Sequence, residues 1–183
     1  MEAGRLKAEL MDEKAMQRAL TRMAHEMIEQ IEHLDAMILV GIRRRGVPLA
    51  QRLADLIDTY AGVRVRVGEA DITLYRDDLS SISDQPRVRG TAISGELKGT
   101  SVVLVDDVLY TGRTARAAME AVMDQGRPDC IKLAVLVDRG HRELPIRPDF
   151  VGKNVPTSSK EAISVQLASI DDDENVVLRE KKE

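Results

Sequence analysis

Apolar residues recur along the chain with two distinct periods, which predict alternating helices and strands. Between residues 12 and 33 they recur every three or four positions, the spacing of a helix with one buried face. Asp12 is a suitable N-cap residue for this helix. Its apolar stripe consists of Met16, Leu20, Met23, Met27, Ile31 and Leu34.

Three continuous apolar runs predict buried strands, because a strand covered on both faces does not need alternating polar positions. They occupy residues 37–42, 102–105 and 131–138. Helical segments follow the first two runs, at 47–60 and at about 115–125. Strands that alternate with helices in this way predict an α/β fold, a Rossmann-like parallel sheet flanked by helices.

The remaining strands are predicted from shorter or alternating patterns, at residues 4–10, 63–67 with 71–75, 150–157, 163–169 and 175–179. The last two form a closing hairpin. We interpret the acidic run at 171–174 between them as a solvated turn, and the final five residues as a frayed end.

Two irregular regions complete the prediction of a single domain over residues 1–183. The stretch from about 76 to 92 is rich in Ser, Asp and Gly and contains Pro86. A structureless segment this long in a compact domain is typical of a flexible lid loop. A small hood is expected from about 139–160 together with the two chain ends.

Composition narrows the functional classes. The chain has 43% apolar and 32% charged residues and a net charge of −4, as ordinary globular proteins do, so any nucleic-acid surface would have to be a local basic patch. The lone Cys130 excludes an internal disulfide and fits a reducing cytosol. With no signal-peptide pattern and no membrane-spanning run, we expect a cytoplasmic protein without membrane contact.

Most of the candidate ligand-binding residues lie in the stretch VVLVDDVLYTGRT, which begins at Val102. Asp106 and Asp107 end a buried strand, where ligands bind in open α/β sheets. The turn at residues 110–114 leads into a helix, whose free N–H groups and positive dipole end suit a phosphate. The paired carboxylates suit a ribose diol or a Mg²⁺ ion that keeps its waters. A buried strand with two capping aspartates is the alternative for the acid pair alone.

This stretch resembles the 5-phosphoribosyl 1-pyrophosphate (PRPP) signature of type I phosphoribosyltransferases, and it lacks the spacing of a Walker A loop. A second anion site is predicted at residues 43–46, where arginines between Gly41 and Val47 can surround a pyrophosphate. A surface arginine cluster is the alternative there. Two anion sites on one sheet edge match PRPP, which is phosphorylated at both ends.

Longer blocks resemble the PyrR family of pyrimidine operon attenuation proteins, over about residues 12–170. The blocks are ALTRMAHEMIE, DITLYRDDLS, VDDVLYTGRT, LAVLVDRGHRELPIR and VGKNVPTS. The resemblance implies a regulator that binds the leader mRNA hairpin of pyrimidine genes when UMP or UTP is abundant and promotes transcription termination. It also implies uracil phosphoribosyltransferase activity, which converts uracil and PRPP to UMP and pyrophosphate with Mg²⁺.

The resemblance assigns roles by matching position. Asp106 and Asp107 would hold the ribose hydroxyls and contribute to the Mg²⁺ site, mostly through PRPP and water. With Arg76 and Asp77 at the base of the lid they form the expected catalytic set. The expected PRPP- and nucleotide-binding residues are Arg44, Arg45, Gly46, Asp106, Asp107, Val108, Leu109, Tyr110, Thr111, Gly112, Arg113, Thr114, Arg139 and Val155.

RNA contact is implied for Thr21, Arg22, His25, Arg142, Arg147 and Lys153. A solvated helix flank and local salt bridges are the alternative for these residues. The family also implies a homodimer or a higher homo-oligomer. Two other functions stay open: a plain uracil or purine phosphoribosyltransferase with no RNA role, and a regulator that senses nucleotide without turnover.

Overall fold

The computed structural model describes residues 5–72 and 91–181, and these form two sheets and three α-helices. The helices are α1 (Glu13–Gln30), α2 (Gly46–Ala61) and α3 (Arg113–Gln125). The strands are β1 (Arg5–Met11), β2 (Met37–Ile42), β3 (Arg66–Ala70), β4 (Ser101–Leu109), β5 (Cys130–Asp138), β6 (Phe150–Asn154), β7 (Glu161–Gln166) and β8 (Asn175–Glu180).

The larger sheet has five parallel strands in the order β3-β2-β4-β5-β6. Neighbouring residues of β2 enter opposite cores: Leu39 packs with α1 and α2, whereas Val40 packs with α3. Helices therefore cover both faces, which explains the continuous apolar runs and confirms the predicted α/β fold. The parallel pairing also brings the carboxyl ends of β2 and β4 to one edge of the sheet.

Helix α1 forms as predicted at its start and ends three residues early, at Gln30. Asp12 is its N-cap, and its side chain accepts a hydrogen bond of 2.7 Å from the N–H of Ala15. The predicted stripe is buried from Met16 to Ile31, and Leu34 begins a short 3₁₀ turn before β2. The apolar period thus identified the buried face, although it overestimated the helix length.

The smaller sheet is antiparallel, in the order β1-β8-β7, and it joins the two ends of the chain. The closing hairpin and the N-terminal edge strand are confirmed. The prediction of a frayed end is wrong for Arg179 and Glu180, because β8 continues to Glu180 and pairs on both sides, and residues 182–183 lie outside the described ones. The alternating stretch at 63–67 is misplaced, since β3 begins only at Arg66.

The acidic run at residues 171–174, called the acidic turn below, is not simply solvated. Asp171 pairs with Arg45 at 2.8 Å and Glu174 pairs with Arg52, so the turn is fastened to the first half of α2. The sequence could not indicate these pairs, because each joins residues more than a hundred positions apart. Within residues 5–72 and 91–181, no helix is both long and apolar enough to cross a membrane.

Candidate active site

The acid pair lies in the last half of β4 rather than after its end, because β4 pairs with β5 as far as Leu109. Asp106 is 9% exposed, and its carboxylate accepts a hydrogen bond of 2.9 Å from the N–H of Asp107. Burial raises the pKa of Asp106 well above its usual range, and the neighbouring charge of Asp107 adds to the rise. A ligand that donates hydrogen bonds from hydroxyls, or that brings a positive charge, would offset the free-energy cost of burying the ionised Asp106 carboxylate.

The turn at residues 110–114, called the phosphate turn, joins β4 to α3. Gly112 has φ 93°, a left-handed conformation that glycine adopts without strain, and α3 begins directly after it. Gly112 has no side chain to cap the helix, and the N–H of Arg113 donates to the hydroxyl of Thr111 at 3.3 Å. The carbonyl of Thr111 accepts hydrogen bonds from the N–H groups of Glu143 at 2.9 Å and Leu144 at 3.2 Å. The N–H groups that follow Arg113 in the first turn of α3 have no partner within the helix and are the donors available to an anion.

Residues 43–46, called the arginine loop, join β2 to α2 and press against β4. A Cβ atom on Gly46 would lie 2.2 Å from the carbonyl oxygen of Val105, and one on Gly41 would lie 2.4 Å from Cα of Val47. Only glycine permits this close approach, which brings the arginine loop next to the acid pair. The Arg43–Arg44 peptide bond is cis.

The three arginines of the loop have different surroundings. Arg43 pairs with Asp71 at 2.9 Å and Glu69 at 3.2 Å, and Arg44 is exposed. Arg45 pairs with Asp171. Burial raises the pKa of Asp107, and the nearby charge of Arg45 opposes that rise. Arg45 is therefore close enough to affect the acid pair electrostatically, as a shared anion site would require.

A cavity of about 360 Å³ lies beside Tyr110, between residues 138–141 and 154–157. Arg139 is 5% exposed and donates to the hydroxyl of Thr157 at 3.1 Å and the carbonyl of Glu161 at 2.7 Å. Its guanidinium lies 4.1 Å from the ring centre of Tyr110, and burial lowers the pKa of Arg139. Arg139 thus fixes one wall of the cavity and supports the Tyr110 ring.

Val155 also lines this cavity, and its N–H donates to the carbonyl of Asp138 at 2.8 Å. The carbonyl is therefore the backbone group of Val155 left for a ligand. The rest of the expected nucleotide set, Val108, Leu109, Arg113 and Thr114, lies at the end of β4 and in the phosphate turn. Arg76 and Asp77 lie outside the described residues.

The residues expected to bind RNA have different surroundings in the structure, and their hydrogen bonds do not link them into one continuous surface. Arg22 donates to the carbonyls of Val151 at 2.9 Å and Gly152 at 2.6 Å, and therefore sits along β6 near the exposed Lys153. Thr21 is half-buried on the same helix. The ring of His25 packs against that of Tyr60, with ring centres 4.4 Å apart and a tilt of 40°.

Arg142 is engaged in the active site instead. It donates at 2.8 Å to the carbonyls of Tyr110 and Ile146, and it pairs with the carboxylate of Asp138. Its side chain is only 20% exposed. Arg147 is exposed on the same segment. Residues 139–149, called the site loop, thus connect the phosphate turn to a candidate RNA contact.

Sequence reasoning missed Lys181, which lies just past β8. Its Nζ donates to the carbonyl of Ser159 at 3.0 Å and lies 5.8 Å from the ring centre of Tyr110. No local pattern could have placed it there, because the smaller sheet brings the chain end to the site. Among residues 5–72 and 91–181, no cluster of three or more His, Cys, Asp or Glu side chains could hold a metal ion.

Comparison with known proteins places this arrangement in a family. Residues 7–169 match the model of the phosphoribosyl transferase domain. The chain is 59% identical over 175 residues to the bifunctional protein PyrR of Clostridium acetobutylicum, covering 96% of this chain and 98% of that protein. The chain belongs to the PyrR family. Another PyrR relative, from Pelotomaculum thermopropionicum, is 59% identical over 179 residues, covering 98% of this chain and 99% of that protein.

Solved structures of phosphoribosyltransferases share the fold of this PyrR chain. A hypoxanthine phosphoribosyltransferase from Staphylococcus aureus matches with a TM-score of 0.69 and 16% identity, covering 97% of this chain and 93% of that one. A ternary substrates complex of the Trypanosoma cruzi enzyme matches with a TM-score of 0.73 and 18% identity, covering 95% of each chain. At these identities the likeness concerns the fold alone.

Proposed function

We infer that this protein is a uridine-nucleotide-dependent RNA-binding regulator that attenuates transcription of pyrimidine biosynthesis genes. It also catalyses the transfer of the phosphoribosyl group of PRPP to uracil, which yields UMP and pyrophosphate. The observation that carries this conclusion is the nearly full-length identity to bifunctional PyrR proteins. The juxtaposition of the arginine loop, the acid pair and the phosphate turn on one sheet edge supports it.

In the proposed complex, PRPP spans this edge of the larger sheet. The 5′-phosphate accepts hydrogen bonds from the N–H groups at the start of α3, where the helix dipole also favours an anion. Asp106 and Asp107 hold the ribose hydroxyls. The pyrophosphate lies at the arginine loop, and the family resemblance adds Arg76 and Asp77, which lie outside the described residues. Uracil occupies the cavity beside Tyr110, against Arg139 and the carbonyl of Val155.

A magnesium ion fits this site as an outer-sphere or substrate-bound cation. Mg²⁺ prefers oxygen ligands and usually keeps several waters, using one or two carboxylates together with substrate phosphates. Asp106 and Asp107 are the carboxylates in place for this role, and their raised pKa values fit a position that a cation would complete. When bound, Mg²⁺ would neutralise charge on the departing pyrophosphate.

The reaction is a displacement at the anomeric carbon of the ribose. Uracil N1 forms the new bond as the bond to pyrophosphate breaks, and the N1 proton leaves to solvent. The positive charge of Arg45 stabilises the departing pyrophosphate, and the cavity aligns uracil with the anomeric carbon. No strong base is required of Tyr110, because uracil N1 is acidic enough to lose its proton readily.

RNA recognition is proposed to use the exposed basic residues Arg22, Lys153 and Arg147, together with Thr21 and His25. Such side chains contact phosphates and splayed loop bases, because the A-form major groove is too narrow to read. The site loop supplies a physical route for nucleotide control. Its residues 142–144 hydrogen-bond to the carbonyls of the phosphate turn, so a bound phosphate would order both segments together.

The proposed function is tested by a filter-binding titration with the protein's own pyrimidine leader RNA, with and without UMP, and in parallel with PRPP. We expect tight binding that UMP strengthens and PRPP weakens. The two ligands compete for one phosphate turn, and only a ligand that binds the RNA-competent state more tightly can strengthen RNA binding. Uracil-dependent release of pyrophosphate is measured in the same preparation. If the protein converts uracil but binds RNA weakly, and neither ligand changes that binding, it is a plain phosphoribosyltransferase. The internal hydrogen bonds of Arg142 favour this alternative, because they occupy a side chain that was expected to contact RNA.

A further inference from the structure

The acidic turn holds the guanidinium of Arg45 in a fixed orientation. Nη2 of Arg45 lies 2.8 and 3.1 Å from the two carboxylate oxygens of Asp171, and Nε lies 3.2 Å from one of them. The side chains are 30% and 23% exposed, so the pair is partly shielded from water. A two-pronged contact of this kind fixes direction as well as distance, unlike a pairing with lysine.

Asp171 is itself held from behind by a tight turn. Its carboxylate accepts a hydrogen bond of 3.0 Å from the N–H of Leu167, and its own N–H donates to the carbonyl of Leu167 at 2.6 Å. The hydrogen bond from Arg45 lowers the pKa of Asp171, which keeps the carboxylate ionised at neutral pH. The acidic turn therefore presents a preformed anion to the arginine loop.

The position of Arg45 gives this contact a consequence for ligand binding. Arg45 is the N-cap residue of α2, and the following Gly46 presses on the carbonyl of Val105, one residue before Asp106. Asp171 engages Nε and Nη2 of Arg45, and among the described residues Nη1 makes no hydrogen bond. One edge of the guanidinium is thus anchored while the other is available to an anion.

We propose that Asp171 is a positioning residue for pyrophosphate binding, which holds the Nη1 edge of Arg45 and the start of α2 in the orientation that receives the pyrophosphate of PRPP. The inference rests on the proposed function and extends it to a residue in the turn between β7 and β8. Asp171 does not touch the substrate. It acts through Arg45, so its removal should weaken the binding of PRPP and pyrophosphate and leave the binding of uracil unchanged.

The test compares Asp171→Asn with Glu174→Gln in steady-state assays that vary PRPP and uracil separately, with Mg²⁺ present. Glu174 is a matched control, because it fastens the same acidic turn to the same helix through Arg52. Asp171→Asn should raise the KM for PRPP and the inhibition constant of pyrophosphate roughly tenfold, the lower end of what losing the partner behind a metal ligand costs in comparable arrangements. The KM for uracil and all constants of Glu174→Gln should stay within about twofold.

A double variant tests whether Asp171 acts through Arg45. If it does, Asp171→Asn should have no further effect on the KM for PRPP in an Arg45→Ala background. An unchanged or lowered KM for PRPP in Asp171→Asn, or an equal rise in Glu174→Gln, would overturn the inference. Should Asp171→Asn fail to fold, Asp171→Glu, which keeps the charge but displaces it, carries the same prediction. A wild-type chain that neither binds nor converts PRPP would instead overturn the proposed function.

Discussion

At residue 110, the ring and the hydroxyl of tyrosine have separate roles. The ring packs against the guanidinium of Arg139 and the edge of His141, whereas no described residue hydrogen-bonds the hydroxyl. Tyr110→Phe should therefore keep kcat/KM for uracil conversion within about fivefold of wild type, since a true general base contributes about 10²–10⁴-fold. Tyr110→Ala, which removes the ring, should lose more. A drop of about a hundredfold in Tyr110→Phe would assign the proton transfer to this hydroxyl.

The Asp106 carboxylate is expected to lower the stability of the folded protein at neutral pH, although uracil conversion requires it. Because its pKa is raised in the folded protein, the folded state binds the proton more tightly, and stability falls as pH rises above the ordinary carboxyl pKa of about 4. Asp106→Asn should thus melt at a higher temperature than wild type at pH 7, with the difference vanishing below about pH 4. Uracil conversion should fall by at least about 10²-fold.

The exposed Glu29→Gln is the control for losing a carboxylate, and its melting temperature should follow wild type at both pH values. Melting curves of wild type, Asp106→Asn and Glu29→Gln, measured across pH without ligand, test this prediction. If Asp106→Asn melted below wild type at pH 7, the carboxylate would be stabilising the empty site, and the argument from burial would be wrong.

The site residues differ in how far sequence alone could predict them. Asp106, Asp107 and the phosphate turn are neighbours in sequence, so one local pattern contains both the strand end and the helix start. Arg45 and Asp171 are 126 positions apart, and Lys181 reaches Tyr110 only through the smaller sheet. Such contacts depend on how the sheets are assembled, which no local period encodes.

The site loop contains two arginines that have different roles. Arg147 is exposed, whereas Arg142 donates to the carbonyls of Tyr110 and Ile146. Arg147→Ala should weaken leader RNA binding, lower the slope of log K against log salt by about 1, and spare uracil conversion. Arg142→Ala should reduce both functions, because the phosphate turn loses a donor on its carbonyl side.

Filter binding over a salt series and uracil assays on the same samples distinguish these outcomes. Arg127→Ala, an exposed arginine beyond α3, controls for the loss of charge alone. If Arg142→Ala lost RNA binding but kept full turnover, Arg142 would be an RNA contact despite its internal hydrogen bonds. The double substitution of Arg142 and Arg147 should therefore reduce both functions and would not separate them.

Element prediction succeeded where burial dictated the pattern. The run at 37–42 matches β2 because both of its faces are covered, whereas the strand predicted at 63–67 is misplaced. Among the described strands β3 has only β2 as a neighbour, apart from a single bridge from Glu69 to Ala92, so alternation before it reflects partial exposure rather than pairing. The helix starts were also predictable, since Asp12 and Gly112 carry local backbone signals.

The proposed site is built from segments of both sheets. The arginine loop, the acid pair and the phosphate turn belong to the larger sheet, whereas Lys181, and Asp171 behind Arg45, belong to segments of the smaller one. A nucleotide bound between them should therefore stabilise the whole folded chain and not one segment. A ligand at about 100 times its Kd stabilises the folded state by about 2.7 kcal/mol.

For a chain of this length that corresponds to a rise in melting temperature of about 5–10 °C with saturating UMP, and similarly with PRPP and Mg²⁺. Since both ligands place a phosphate in the phosphate turn, they should exclude each other. We expect the two together to raise the melting temperature no further than the tighter ligand alone. Asp106→Asn should lose most of the shift. Additive shifts in the wild-type chain would require two separate sites, and the single shared site at the end of β4 would then be wrong.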